Sequence, residues 1–483
     1  MTAFRWGEPA HAITLPPEIR AVLGLAADNP PPPAPVTLPA PRALPFPGAD
    51  VSDEARLGHA AGMSTEDLLL ARSGQVPGVP DGVLRPATHD EILEILRIAS
   101  EYRVAVVPYG GGTSVVGGLH AERNGFAGVI ALDLARMNRL VDIDPISRTA
   151  TFEAGIRAPE AETILASHGF TLGHFPQSFQ YATLGGFAAT RSSGQASSAY
   201  GRFDQMVVAL RAATPTGSLD LGRAPQSAAG PDLRQLLLGS EGVFGVITQV
   251  TVRVRPASVL RYAGWRFPSF ADGLRAMRSL AQDGPLPAVA RLSDEVESQV
   301  SGVDGALAIF SSPDLDAPPL DPPGATPLGA AAGDAWQRGR YGAGYLRDAL
   351  LDAGGWADTF ETATFWHRVP DAYAAIRDAL REAAPRAVVM CHVSHVYENG
   401  ASLYYTLATK SDDDPVAQWR SVKKAAGDAV AAAGGTITHH HGIGRDHRPW
   451  YAGEIGPVGA AMLRGVKQAV DPAGILNPGI LLP

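Results

Sequence analysis

A single cysteine, Cys391, serves the whole 483-residue chain. That excludes an intrachain disulfide and any cysteine-built zinc or iron–sulfur centre, and it fits a reducing compartment. Within the apolar run Val388 to Cys391 the thiol reads as a small buried hydrophobe rather than a nucleophile. Positive charge is also in short supply. Forty Lys and Arg stand against 49 Asp and Glu, a balance of −9, so no nucleic-acid partner is expected and any anion site must be local. No window approaches ~20 consecutive apolar residues, which argues against a membrane-spanning helix. Met1 to Ala12 carries charge and lacks the apolar core of a secretory signal, and Ile480 to Pro483 is not a peroxisomal address, so a cytoplasmic protein is expected. No internal repeat occurs at solenoid spacing.

Glycine is plentiful, at 53 residues, and its placement is informative. The β-rich run Arg103 to Tyr109 delivers the backbone into Gly110-Gly111-Gly112-Thr113-Ser114. Residues without a Cβ let successive N–H groups face one concavity, and two hydroxyls add donors, which is the chemistry that grips a diphosphate. A Rossmann fingerprint and a Walker loop are both excluded, because Val115-Val116-Gly117-Gly118-Leu119 follows and no Lys lies nearby. Three further small-residue loops occur in the same half of the chain: Pro176 to Gly186, Thr190 to Gly194, and Gly239 to Ile247. Together they suit a large dinucleotide lying across strand ends; taken as plain turns of a twisted sheet they need no ligand.

The length calls for at least two domains. Asn29 to Pro47 is proline-dense and reads as an extended lead, with structure beginning near Asp53. Ser64 is an N-cap candidate. Gly82 to Pro86, the helical pattern from His89, and Arg103 to Tyr109 make a βαβ unit, and strands are expected at Gly128 to Leu132, Thr149 to Ala154 and Val246 to Val254, with a helix from Pro159 to His168. After Pro256, strands at Gly305 to Phe310, Arg386 to Cys391 and Ser402 to Ala408 alternate with helices at Ala372 to Ala384 and Pro415 to Ala433, which predicts a second α+β unit with an antiparallel sheet. Ser311 to Gly333 lacks periodicity and reads as a mobile surface loop.

Thr438-His439-His440-His441-Gly442-Ile443-Gly444-Arg445 carries a different chemistry. On an extended backbone His439 and His441 share a face while His440 looks away. Three consecutive imidazoles rarely reach one ion without a fourth ligand, so no metal is expected. An acid–base or anion-binding role is favoured, since imidazole titrates near neutrality and Arg445 adds a fixed positive charge.

These strings, with Met137-Asn138-Arg139, Gly230-Pro231-Asp232, Tyr345-Leu346-Arg347-Asp348 and Phe360-Glu361-Thr362, resemble the vanillyl-alcohol oxidase and p-cresol methylhydroxylase (PCMH) flavoproteins, and within them the alkyldihydroxyacetonephosphate synthase family, from about Arg56 to Leu482. The resemblance implies an α+β fold: a two-subdomain PCMH-type FAD-binding domain at 53–256, after an extended segment at 1–52, with a cap or substrate domain at 257–438 and a tail at 439–483 that completes the active site and returns to the FAD domain. It implies non-covalent FAD lined by Tyr109, Gly110, Gly111, Gly112, Thr113, Ser114, Val115, Gln177, Ser178, Thr183, Gly186, Thr190, Ser192, Ser193, Glu241, Gly242, Gly245, Val246 and Ile247.

The implied reaction exchanges the acyl chain of acyl-dihydroxyacetone phosphate for a long-chain alcohol without net redox change. In it Tyr404 is the acid/base, Arg347, Arg291 and His174 bind substrate, and His439, His440 and His441 complete the catalytic site. A homodimer with peripheral membrane contact is the matching expectation. The tract from Ser311 to Gly333 departs from the family pattern where a lipid-facing entrance would lie. A second branch of the superfamily, the 2-hydroxy-acid dehydrogenases, resembles the chain around Gly442-Ile443-Gly444. It carries Glu-His before that string, with the glutamate where His440 stands here, and a His-x-Gly-Asp-Gly-Asn-x-His segment whose second imidazole is missing from His395 to Ser402, so metal-assisted oxidation is disfavoured. A flavin-binding protein without turnover is disfavoured by Tyr404, Arg347 and the triplet occurring together.

Overall fold

Side-chain caps start the helices at Thr65 and His89. In the computed structural model, which describes residues 4–30, 32–312 and 322–483, the Ser64 hydroxyl accepts the Asp67 N–H at the head of Thr65–Arg72. Thr88 does the same for Glu91 at the head of His89–Tyr102, and Arg103, at φ 54°, ends that helix in the left-handed region. The expected βαβ unit forms with one change. Gly128–Asp133 lies between Gly82–Leu84 and Val104–Tyr109, and all three strands are parallel. The inserted strand is buried throughout, which suits its apolar sequence.

An antiparallel sheet follows, in the order Leu140–Asp144, Thr149–Glu153, Val246–Arg253, Val207–Thr214, Gly217–Leu221. The larger antiparallel sheet runs Thr326–Gly329, Arg261–Phe267, Ala306–Ser312, Ala290–Ser293, Val388–Val393, Gly400–Lys410, Gly355–Phe365, with Val396–Tyr397 pairing onto Gly400–Lys410. Phe270–Asp283, Val369–Ala383 and Pro415–Ala432 are its amphipathic helices, and their apolar stripes join the core. Trp356, Phe267 and Phe310 are enclosed there, as Phe152, Phe187 and Phe203 are around the smaller sheets. Each such ring contributes roughly 1.5–3 kcal/mol by leaving water. Cys391 is buried on its strand, and burial pushes its thiol well above the ordinary value, as befits an inert position.

Three expectations need correction. The tract Ser311 to Gly333 is not a loop throughout: Ser311 and Ser312 finish a strand, Thr326–Gly329 is an edge strand, and Ala330–Gly339 is a helix. Its small residues serve close packing, since a Cβ on Gly333 would sit 2.3 Å from the Tyr262 carbonyl. Residues 313–321 of the tract lie outside the described residues.

The lead before Asp53 is extended in its proline-rich part, yet ordered contacts begin much earlier. Pro17–Val22 is a helix. The Trp6 ring meets Tyr181 edge-on at 5.6 Å, and its backbone N–H donates to Asp348 at 2.6 Å. Arg5 pairs with Asp352 at 2.8 Å.

The tail also does more than turn. Val106 N–H donates to the Ile475 carbonyl and Asn477 N–H to the Val106 carbonyl, both at 2.8 Å, so the C-terminal segment adds to the glycine-loop strand. The preceding helix, Arg448–Val470, is broken at Gly456 (φ 69°) just before Pro457.

Candidate active site

Val104–Tyr109 ends at the glycine triplet, and the reason for glycine is steric. A Cβ on Gly111 would lie 2.1 Å from the Tyr181 carbonyl oxygen, one on Gly110 would lie 2.5 Å from Thr183 Oγ1, and Gly112 has φ 69°. Among the described residues, the N–H groups of Gly110, Gly111, Gly112, Thr113 and Ser114 donate to no protein acceptor. A partly enclosed row of unsatisfied donors calls for an anionic or polar ligand. Thr183 borders the row and caps Leu184–Thr190 by accepting the Gly186 N–H at 3.2 Å.

Glu241 faces the other side of this region. Its carboxylate accepts N–H groups from Ile443 at 3.0 Å and Gly444 at 2.9 Å, so it ties the end of the histidine segment to the glycine loops. Burial pushes its pKa up to about 7. Thr190 Oγ1 returns to the Gly186 carbonyl, Ser192 Oγ meets His174 Nε2 at 3.1 Å, and Ser193 Oγ meets His395 Nδ1 at 3.1 Å. The buried Ser240 hydroxyl and the Asn477 side-chain oxygen have no protein partner nearby. Gly245 packs on Ala213 and Thr214, and Val246 and Ile247 open a buried strand. Gln177 and Ser178 lie in the turn before Thr183, where the Ser178 carbonyl accepts from Tyr181 and Ala182.

The proton-bearing residues come from strand register. His392, Tyr404 and Glu361 are directly paired across three neighbouring strands of the large sheet, so their side chains share one face. The His392 ring stacks on Tyr404 at 4.7 Å, and Arg291 reaches the same face, donating to Glu297 at 2.5 Å with His392 Nδ1 2.9 Å away. Arg291 therefore pairs with Glu297 and not with Asp294, which caps Glu295–Val300. Burial works to raise the Glu297 carboxyl, but His392 and Arg291 override it and hold it at about 2.

Thr438 to His441 lies over this face as a folded turn, not an extended strand. The Thr438 hydroxyl and the N–H groups of His439, His440 and His441 all converge on the Glu361 carboxylate at 2.5, 2.5, 3.1 and 3.0 Å. This reverses the expected alternation. His440 and His441 both border Tyr404, at ring distances of 5.9 and 5.5 Å, while His439 Nδ1 and His440 Nδ1 meet at 2.9 Å.

Burial alone would raise the Glu361 carboxyl; the facing imidazoles and Thr438 more than offset it, leaving it well below its usual range. Burial drives all three histidines down, His441 to about 3, away from the near-neutral titration expected of a free imidazole. Arg445 does not serve the triplet either, because Glu66, Asp67 and Asp446 take its guanidinium. Tyr404 is buried, which pushes its phenol up to about 12.

Arg347 is largely buried, with Nη1 donating to the Met63 carbonyl at 2.8 Å, while Nε and Nη2 have no hydrogen-bond partner. Asp348 stands 3.6 Å from Nη2, beyond hydrogen-bond reach, and Asp352 is taken by Arg5 and Arg72. His174 sits in an aromatic nest of Phe187 and Phe203 at 4.6 and 5.2 Å, its Nδ1 unpartnered, and burial holds it neutral at about 3. A cavity of about 330 Å³ lined by Arg202, Tyr397, Thr438 and His439 adjoins the triplet.

Sequence reasoning gave no role to Glu361, Glu297, His392, His395 or Tyr397. The available signal was a charged residue inside an apolar strand, which stays buried only with partners. His395 opens a segment that ends in Ser402 and holds no second imidazole, and its own ring stacks on His439 at 4.9 Å.

The family descriptions "FAD binding domain" and "FAD linked oxidases, C-terminal domain" match residues 80–221, and 257–318 with 327–481, respectively. An alkyldihydroxyacetonephosphate synthase from Trypanosoma brucei brucei is 34% identical over 89% of this chain and 77% of its own length. A solved structure of an alkyldihydroxyacetonephosphate synthase superposes with a TM-score of 0.82 at 27% identity, covering 99% of this chain and 97% of the other. The structure of p-cresol methylhydroxylase with substrate bound shares the fold, at a TM-score of 0.68 and 14% identity over 89% and 93%.

Proposed function

This chain belongs to the alkyldihydroxyacetonephosphate synthase family of FAD-linked enzymes, and from that premise we propose how its residues carry out the exchange of an acyl group for a long-chain alcohol on dihydroxyacetone phosphate. The fold is α+β with a PCMH-type FAD-binding unit, and FAD is the cofactor. The free N–H groups from Gly110 to Ser114 fit its diphosphate, because no protein acceptor answers them. In this reading residues 53–256 and the tail from 439 hold FAD, and residues 257–438 cap it. When bound, FAD supplies the electron-rich centre that makes substitution at the substrate carbon possible.

The remaining roles belong to the chain. Arg347 carries the reading: a buried guanidinium with two unanswered nitrogens, within electrostatic range of Tyr404, is built to take an anion such as the substrate phosphate or the departing carboxylate. Arg291, already shared by Glu297 and His392, contributes positive potential. Tyr404 holds the proton that must leave and return as alcohol replaces acyl, with the ring of His441 packed edge-on against it. The bond from the substrate carbon to the acyloxy oxygen breaks, so the fatty acid leaves with both its oxygens; a bond from that carbon to the alcohol oxygen forms, and the alcohol's proton ends on the carboxylate. His174 orders Ser192 at the edge of the site.

No helix among the described residues is long and apolar enough to cross a membrane. A lipid substrate goes with peripheral membrane contact, and a cytoplasmic homodimer is proposed with it; vesicle flotation and gel filtration check the two. The test of the reaction is to supply acyl-dihydroxyacetone phosphate and a long-chain alcohol and to measure ether product and free fatty acid in equal amounts. Absence of both, with the flavin reduced by lactate or glycolate instead, overturns the reading.

A further inference from the structure

We propose that His395, His439 and His440 form a binding site for one divalent transition ion of the zinc and cobalt class. One ring nitrogen from each lies within 4.8 Å of the other two. Two of the rings come from the turn of residues 438–441 and the third, His395, from between the strands Val388–Val393 and Val396–Tyr397, and all three are held by their surroundings.

His395 Nδ1 is engaged by Ser197 Oγ at 2.5 Å and Ser193 Oγ at 3.1 Å, which leaves Nε2 as its free nitrogen. His439 Nε2 is engaged by the Tyr397 hydroxyl at 2.5 Å, which leaves Nδ1. Outer hydrogen bonds of this kind fix the tautomer and aim of metal-ligating imidazoles. Without an ion, His439 Nδ1 and His440 Nδ1 face each other at 2.9 Å, where at most one proton can serve both. A tetrahedral ion with Zn–N bonds of about 2.0–2.1 Å separates its ligands by roughly 3.3 Å, a few tenths from what is present. The third ring needs a rotamer adjustment of order 1 Å.

Ligand type selects the ion. Three imidazoles with no carboxylate among them suit zinc or cobalt and not calcium or magnesium. The Glu361 carboxylate, 3.6 Å from His440 Nδ1, supplies negative charge just outside the set. His441 stays outside the set, packed beside Tyr404.

The experiment uses untagged, FAD-loaded protein, stripped with chelator and dialysed. Zn²⁺ is titrated by calorimetry, and Co²⁺ by the ligand-field bands of a four-coordinate ion. One equivalent is expected, with cobalt bands of tetrahedral intensity. His395→Ala should abolish that binding, and Ser197→Ala should weaken it by about 10–100-fold, both with flavin absorbance unchanged. Should His395→Ala lose its fold, Ser197→Ala alone decides. Less than a tenth of an equivalent bound by the native protein, or binding that neither variant alters, overturns the proposal. Neither result depends on the exchange reaction.

Discussion

Glu361→Ala removes an acceptor that four donors share. The Thr438 hydroxyl and the N–H groups of His439, His440 and His441 lie 2.5 to 3.1 Å from its oxygens, and the side chain has no exposed surface, so water does not reach them. Each stranded buried donor costs about 1–3 kcal/mol. Local relaxation recovers part of this, and the net loss expected is about 3–5 kcal/mol, the scale for breaking a buried charge network. Glu361→Gln keeps one carbonyl oxygen but turns an NH₂ toward the donors, and should lose about 1–3 kcal/mol. Urea unfolding of the FAD-loaded proteins measures both values, with an unchanged m as the sign that the loss lies in the native state. Because the turn over Tyr404 is held by this carboxylate, a shift of about 1 Å should also slow exchange by roughly 100-fold. A Glu361→Ala protein within 0.5 kcal/mol of native, roughly the scatter for surface changes, and with full activity, would refute this account of the histidine turn.

Four other outcomes follow from the same geometry. Gly111→Ala places a Cβ 2.1 Å from the Tyr181 carbonyl and should yield protein with little bound flavin, read from its visible absorbance. Tyr404→Phe should cut exchange by about 10²–10⁴-fold while flavin content stays constant. Trp6→Ala, at a ring only 9% exposed, should cost about 3–5 kcal/mol in urea unfolding.

Glu297, held at about 2 against an ordinary 4.5, contributes stability that is present above pH ~4.5 and lost as pH falls toward 2. Glu297→Gln should flatten the acid limb of the stability profile between those limits, and an unchanged limb would show that the Arg291–His392 pairing carries no weight.

Elements with strong local signals were legible in the sequence. Ser64 and Thr88 cap as hydroxyls before helical patterns do, and the strands around Val106, Ile130, Val250 and Tyr404 have dense apolar runs. The hairpin Val207–Thr214 with Gly217–Leu221 was not legible, because alanine, arginine and threonine there give no clean alternation. Nor was the Trp6 contact, which joins residues 342 positions apart in sequence.

The site divides the same way. Tyr404, Arg347 and the triplet carry recognisable strings. Glu361 and His392 reach the same face only through strand register, a property of pairing that no single segment encodes. The turn of residues 438–441 follows from the carboxylate beneath it, so reading that stretch as an extended strand assigned its rings to the wrong sides.

The central claim is that a flavin-loaded pocket built on Arg347 and Tyr404 exchanges acyl for alkyl on a phosphorylated dihydroxyacetone. The most direct measurement supplies that acyl substrate with an isotopically labelled long-chain alcohol and follows the label by mass spectrometry. The account predicts labelled ether and one fatty acid released per ether formed, with no net change in flavin oxidation state and no product from Tyr404→Phe. Label that stays in free alcohol, while a 2-hydroxy acid bleaches the flavin, contradicts it.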